Sequence, residues 1–552
     1  MMRDLPLKIL KSFSATGLLL GTVFFAFSLT PSLVPRPFLV QALVSGVALT
    51  SGYALGVILR ELWDYLQLPV PPGRVRLWIK LGMTVLFVGV AIGFLVQASR
   101  WQDSVRMLME MEPVEGTRPI SVGLIALLVF LVLLFLGRLF LWIKRVMARK
   151  YNRVVPQRIA WLAGLATTVF LFWTLINGVL ASWMLNSFDA SFRQLDTLVE
   201  AELDPPTNPA RTGSAESLLD WDDLGRQGRR HIARGPTRED LEAFGLNEAM
   251  DPIRIYVGLN SAETIEERTE LALAEMQRVG AFERSTLVIA TPTGTGWVDP
   301  GGINSLEYLH RGDVASVAVQ YSYLPSWLSL LAQADYGSET ARSVFQAVYH
   351  HWQQLPQETR PRLYLFGLSL GALNSERSAD VWDIVGDPIH GALWSGPPFR
   401  SDTWQWVTAQ RDRGTPAWLP VFRDGAVVRF TNQHNTLADH DAEWGPFRIV
   451  YLQYASDPIT FFEPRSVYRE PQWMSGPRGP DVSPSLRWFP VVTTLQLAAD
   501  IAAAETAPIG YGHAYATEHY IDAWHALTEP DGWDALEIER LKAEIGDLKD
   551  HQ

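Results

Sequence analysis

The sequence contains no cysteine, which excludes disulfides, thiolate metal sites and a cysteine nucleophile. It is also poor in charge, with 19% Asp, Glu, Lys and Arg against 48% apolar residues over 552 positions. A basic excess is missing too: the formal net charge is −12, which argues against a nucleic-acid partner. No internal repeat is evident, and no glycine-rich loop ends in the Gly-Lys-Ser/Thr of a phosphate cradle. The shortage of charge is uneven. Residues 1–186 hold almost all the long uncharged runs, and the remainder has the composition of an ordinary soluble protein rich in Trp, Pro and Gly.

Five of those runs are long and apolar enough to cross a bilayer: about Phe13–Val34, Phe38–Leu59, Leu77–Ala98, Ile120–Ile143 and Ile159–Leu185. The first follows Arg3, Lys8 and Lys11, as a signal peptide would. It leads into Pro31, Pro35, Pro37 and another span, not into a small-residue cleavage site, so it reads as a retained anchor. Cations gather before the first span, between the second and third (Arg60, Arg74, Arg76, Lys80), and between the fourth and fifth (Arg138, Lys144, Arg145, Arg149, Lys150, Arg153, Arg158). The positive-inside rule therefore puts the N-terminus in the cytoplasm. With five crossings, everything after about Asn186 lies outside, in a chain anchored in a cytoplasmic membrane.

The domains expected are a membrane region over 1–190, a Pro-, Gly- and charge-rich linker over 191–251, and a catalytic α/β domain over 252–552. In the last, apolar strands at Ile253–Gly258, Ser285–Thr291, Val314–Gln320, Arg362–Phe366, Gly391–Ser395 and Arg448–Tyr454 alternate with helical stretches. The fold class is thus an α-helical transmembrane region followed by an α/β domain with a doubly wound, mostly parallel sheet. Sites on such sheets lie at the carboxyl ends of the strands.

The strand Arg362–Phe366 runs into Gly367-Leu-Ser369-Leu-Gly371 and the start of a helix. Strand, G-x-S-x-G and helix together make a nucleophile elbow, a sharp turn that lifts a serine hydroxyl out of the backbone. A serine needs a base, and the base needs an orienting acid. In the α/β-hydrolase arrangement these follow in the order serine, acid, histidine. Asp457 stands just past the strand Arg448–Tyr454, and His513 follows the glycines of Gly510-Tyr-Gly512. The proposed triad is therefore Ser369, Asp457 and His513. His519 and His525 fall within the following helix and suit packing or solvent. The His434, Asp439, His440, Asp441 cluster reads as a solvated loop, because no helical spacing gathers it around a metal. For the oxyanion, one donor is the Leu370 N–H. The other comes from Thr291-Pro-Thr293-Gly-Thr-Gly296, where Pro292 cannot donate and Thr293 or Gly294 can.

Dispersed motifs go further than these spacings. They include Leu224-Gly-Arg-Gln-Gly-Arg229, Thr291-Pro-Thr-Gly-Thr-Gly-Trp-Val-Asp299, Gln320-Tyr-Ser-Tyr-Leu-Pro-Ser-Trp327, Leu393-Trp-Ser-Gly-Pro-Pro398, Leu452-Gln-Tyr-Ala-Ser-Asp457-Pro458 and Gly510-Tyr-Gly-His513. In these, the chain from about Gly213 to Trp533 resembles a bacterial family of membrane-anchored α/β-hydrolases with a multi-span N-terminal region. The resemblance implies a Ser–Asp–His hydrolase fold and leaves the substrate open. The function expected is acyl hydrolysis of an ester, thioester or amide through an acyl-enzyme, without metal or cofactor, beside a lipid bilayer and on a lipid-like substrate. Gln320–Trp327 and the Pro-, Arg- and Trp-rich Phe461–Phe489 are candidates for a cap over the acyl pocket. The competing expectation is a membrane scaffold or transport-associated protein that keeps the fold without turnover.

Overall fold

A computed structural model of the chain describes residues 13–69, 72–113, 118–181, 203–324 and 334–546, together with 196 and 200. Arg3, Lys8, Lys11, the part of the fifth expected span beyond 181, and Pro325–Trp327 lie outside the described residues. The chain divides into two units. One comprises Met1–Met184 and Phe462–Pro508, the other Leu185–Phe461 and Ile509–Gln552.

The first unit is helical: α1 is Ala15–Ser28, α2 Phe38–Tyr65, α3 Gly73–Leu108, α4 Pro119–Tyr151 and α5 Gln157–Trp173. Among the described residues four helices are long and apolar enough to cross a membrane: α2, α3, α4, and α5 with its extension to Gly178. The sequence suggests five, and the first is the one that falls short. Its helix has 14 residues, a rise of about 21 Å against a hydrocarbon core of about 30 Å. Pro31, Pro35 and Pro37 hold the chain between α1 and α2 out of helical form. Leu77, Trp78, Val96, Ile120, Leu124, Phe135 and Phe170 stand exposed on the long helices, an outward apolar surface compatible with a membrane protein.

Close packing of α1 on α2 depends on two small-residue pairs, Gly17 with Gly21 and Gly52 with Gly56. A Cβ at Gly52 would sit 2.6 Å from the Leu20 carbonyl oxygen, and one at Gly56 2.6 Å from that of Thr16. The excursion Phe462–Pro508 completes this unit. Its helix Val492–Ala502 carries Asp500, fully buried, which accepts hydrogen bonds from the Ser32 hydroxyl at 2.8 Å and the Leu33 N–H at 2.9 Å. Gln496 donates to the carbonyl of Thr30 at 3.0 Å, and Phe489 stacks on Phe27 with centroids 4.0 Å apart. The segment Phe461–Phe489, a candidate cap by sequence, thus belongs from Phe462 onward to the helical unit.

The second unit is built on seven parallel strands: β1 Ile253–Val257, β2 Thr286–Thr291, β3 Val314–Val319, β4 Arg362–Leu368, β5 Gly391–Ser395, β6 Val428–Thr431 and β7 Arg448–Leu452. Their order is β1-β3-β2-β4-β5-β7-β6, an arrangement consistent with an α/β-hydrolase fold. Nearly every strand residue is buried, as parallel strands under helices require. The helices Ile265–Arg278, Ala334–Gln353 and Leu370–Ser378 form one packed set, and Pro300–Leu309 with Thr517–Thr528 form another. The stretch ahead of β1 is not simply extended. A turn at Trp221–Leu224 and helices Gly225–Ala233 and Arg238–Phe244 bury Trp221, Leu224, Ile232, Leu241 and Phe244.

Candidate active site

β4 lies between β2 and β5, with β7 beyond β5. Register pairs Leu368 with Ser395 and Ser395 with Leu452, so β4, β5 and β7 end level with one another. Ser369 is the first residue past β4, and Asp457 lies in the loop after β7. Both leave the sheet at its carboxyl edge.

Ser369 has φ 56° and ψ −124°, a backbone state that non-glycine residues rarely adopt, and it caps the helix Leu370–Ser378. Its N–H donates to the Ser395 carbonyl at 3.0 Å, which ties the turn to β5. The turn is tight enough to need Gly371, where a Cβ would meet the Thr291 carbonyl oxygen at 2.2 Å. That near-contact seats the end of β2, and so the Thr293 loop, against the elbow. Leu370 occupies the first helical position, where an N–H has no intrahelical acceptor. The Thr293 N–H donates to the Trp297 carbonyl at 2.9 Å and is committed within its own turn. Gly294, the alternative, carries the next N–H in the loop.

Asp457 and His513 come together. The Asp457 carboxylate is fully buried, and its Oδ2 lies 2.7 Å from His513 Nδ1. The same oxygen accepts from the Tyr515 hydroxyl at 2.8 Å and the Thr460 hydroxyl at 3.2 Å, while Oδ1 accepts from the Ile459 N–H at 2.8 Å. Burial first, and then the adjacent Asp457 charge, push the Tyr515 phenol well above its ordinary pKa, so it remains a donor. The His513 loop is pinned by the Gly512 N–H, which donates to the Ser456 hydroxyl at 2.9 Å. The imidazole lies over Gly396, where a Cβ would stand 2.7 Å from His513 Cε1. Gly396 directly follows Ser395, the residue that holds the Ser369 N–H, and this links the histidine to the elbow.

Beneath the elbow runs a buried network that the sequence did not point to. Tyr520 donates to Asp299 at 3.0 Å, its hydroxyl lies 2.9 Å from that of Ser395, and Asp299 caps the helix Pro300–Leu309 through the Gly301 N–H at 2.8 Å. Tyr515, Thr460, Ser456 and Gly396 also escape the sequence reading. Tyr515 had a visible signal, two residues after the histidine in Gly-Tyr-Gly-His-Ala-Tyr. His519 and His525 sit in the helix Thr517–Thr528, and His519 Nδ1 is 2.5 Å from the Tyr454 hydroxyl. His440 packs over Gly425. Among the described residues no group of three or more His, Asp or Glu could hold a metal ion.

Residues 253–541 match the model of an alpha/beta-hydrolase family, and residues 29–236 match that family's N-terminal region. The chain belongs to this alpha/beta-hydrolase family. No curated protein and no solved structure matches it. The second match carries the family across α2 to α5 and through the first helix before β1, Gly225–Ala233. The helical unit is therefore a recurring partner of the α/β domain, not an unrelated fusion.

Proposed function

We propose that this hydrolase is a membrane-tethered serine hydrolase that cleaves an ester, thioester or amide through an acyl-enzyme. The observation that carries the reading is the 2.7 Å contact between His513 Nδ1 and a buried Asp457, beside a serine held at φ 56° on a strand-to-helix turn. Ser369 Oγ attacks the acyl carbonyl while His513 Nε2 takes its proton. Asp457 fixes the Nδ1–H tautomer and balances the imidazolium that forms. The Leu370 N–H, at the positive end of a helix, and a second N–H from the Thr293–Gly294 turn receive the oxyanion. His513 then returns the proton to the leaving group, and water, activated by the same base, releases the acyl chain from Ser369. Tyr515 shares the Asp457 charge without removing it.

Sidedness follows from the long helices alone. Cations crowd the end of α2 and the start of α3 (Arg60, Arg74, Arg76, Lys80) and the end of α4 and the start of α5 (Lys144, Arg145, Arg149, Lys150, Arg153, Arg158), and the positive-inside rule puts both of these ends in the cytoplasm. The chain then leaves α5 on the outer face of the cytoplasmic membrane, whichever way α1 lies. The excursion Phe462–Pro508 supports this placement, because within its unit it packs around residues 28–36, at the outer start of α2. A catalytic domain tethered there is positioned for a lipid-like acyl substrate. The test is labelling of the detergent-solubilised protein by a fluorophosphonate. Wild type should label and Ser369→Ala should not; labelling that survives Ser369→Ala, or fails on folded wild type, would sink the reading.

A further inference from the structure

We propose that the helical unit binds the head of an anionic phospholipid, in a cavity of about 360 Å³ lined from the start of α2, the end of α3 and the start of α4. The inference rests on the membrane placement of these helices and not on the triad. Arg36, Arg106 and Arg118 line the cavity, and among the described residues no Asp or Glu does. The Arg36 side chain is fully buried. Its Nη2 donates to the Thr30 carbonyl at 3.2 Å, and its Nε lies 3.4 Å from Asp500. Its Nη1 has no hydrogen-bond partner among the described residues. Gln41, on the same wall, spends its Nε2 on Ser28 and Ser45 and leaves Oε1 buried without a donor among them.

An orphan cationic donor and an orphan acceptor, on two residues that line one cavity, ask for a ligand that offers both an anion and a hydroxyl. A phosphate esterified to a polyol meets both demands. Asp500 balances one of the three arginines, and a phosphodiester monoanion balances a second. The cavity also opens at the starts of α2 and α4, neither of which has a side-chain cap, so first-turn N–H groups add to the positive field. Apart from Gln102 and Thr506 the rest of the lining is apolar, including Leu95 and Val122, which suits the first carbons of an acyl-glycerol better than a free ion. All three helix ends belong to one face of the bundle, the depth at which headgroups lie.

The experiment is native mass spectrometry of the full-length protein in mild detergent, with phosphatidylglycerol, phosphatidylcholine or inorganic phosphate added. Phosphatidylglycerol should be retained as a single adduct and phosphatidylcholine should not. Arg36→Gln should weaken retention about tenfold, the effect of deleting one charge-assisted hydrogen bond in a water-poor site. Arg36 is paired to Asp500, so Arg118→Gln, at an exposed rim position, gives a second variant that leaves the buried pair intact. It should also lower retention. Equal retention of the two lipids, or no change in either variant, would overturn the proposal. Displacement of the lipid by millimolar inorganic phosphate would overturn the lipid assignment in favour of a free anion. Ser369 labelling on the same samples reports separately on the catalytic reading.

Discussion

Adding one methyl group at Gly396 tests the site without altering any residue of the proposed triad. Gly396 has φ +50°, so an alanine there costs about 1–2 kcal/mol in backbone strain. Its Cβ would lie 2.7 Å from His513 Cε1, 3.0 Å from His513 Nδ1 and 2.8 Å from Tyr515 Cε2. Relieving the overlap adds about 1–3 kcal/mol. The sum, about 2–5 kcal/mol, can be borne by a domain of ordinary stability at the upper end of the 5–15 kcal/mol range. To reach ordinary contact at 3.4 Å the imidazole must retreat by 0.7 Å, the difference from 2.7 Å. That displacement strains a 2.7 Å bond to Asp457 and misdirects Nε2. A misplacement of about 1 Å costs on the order of 10²-fold in rate. Gly396→Ala should therefore label with fluorophosphonate about 30- to 100-fold more slowly. Gly386→Ala, where a Cβ meets nothing within 4 Å, should label normally. Thermal unfolding by intrinsic fluorescence checks that both variants are folded. A folded Gly396→Ala that labels within about twofold of wild type would refute the placement of His513 over the elbow and its role as the base.

Three further outcomes follow from the same geometry. Ser369→Gly should lose all labelling yet raise Tm, since relief of about 1–3 kcal/mol of strain at φ 56° outweighs about 0.5–1 kcal/mol of added chain entropy; an unchanged or lowered Tm would count against strain at the elbow. Asp457→Asn presents an amide to a site that offers only donors from His513, Tyr515, Thr460 and Ile459, so activity should fall about 10⁴-fold, and a loss under tenfold would remove Asp457 from the triad. Burial and then Arg362 push His310 down from 6.5 to about 4. As pH falls the unfolded chain therefore takes up that proton first. The stability contribution is complete above about 6.5 and drains away towards pH 4, by up to about 1.4 kcal/mol per pH unit. Urea midpoints at pH 7.5 and 5 should differ less in His310→Gln than in wild type, and identical differences would clear His310 of the effect.

Six of the seven strands could be read from the chain, because parallel strands buried on both faces are plain apolar runs. β6 could not. It is four residues at the sheet edge, and Arg429 in its middle breaks the run, although its guanidinium is satisfied by the carbonyls of Gly425, Leu437 and Ala442. The proposed elbow, acid and base could be picked out because each obeys a local rule: small residues flanking a serine, an aspartate past a strand end, glycines before a histidine. What supports them was not. Gly396 matters through contacts made across the fold, Thr460 through a bond to Asp457 three residues before it, and of the three only Tyr515, two residues after His513, had a visible signal. The excursion Phe462–Pro508 makes the same point at larger scale. The helix Val492–Ala502 carries Asp500, an acid among Leu, Ala and Ile whose partners Ser32, Leu33 and Arg36 lie more than 460 residues earlier. Leaving that carboxylate unpaired would cost several kcal/mol, and Arg36 is the cation that pairs it. The chain path adds a constraint that composition never shows: it leaves the α/β unit after Phe461, just past Asp457, and returns at Ile509, just before His513. Asp457 and His513 therefore stand near the two ends of a segment that folds with the long apolar helices. A substitution that unseats Asp500 acts on the chain between the two residues whose 2.7 Å contact the proposed chemistry needs.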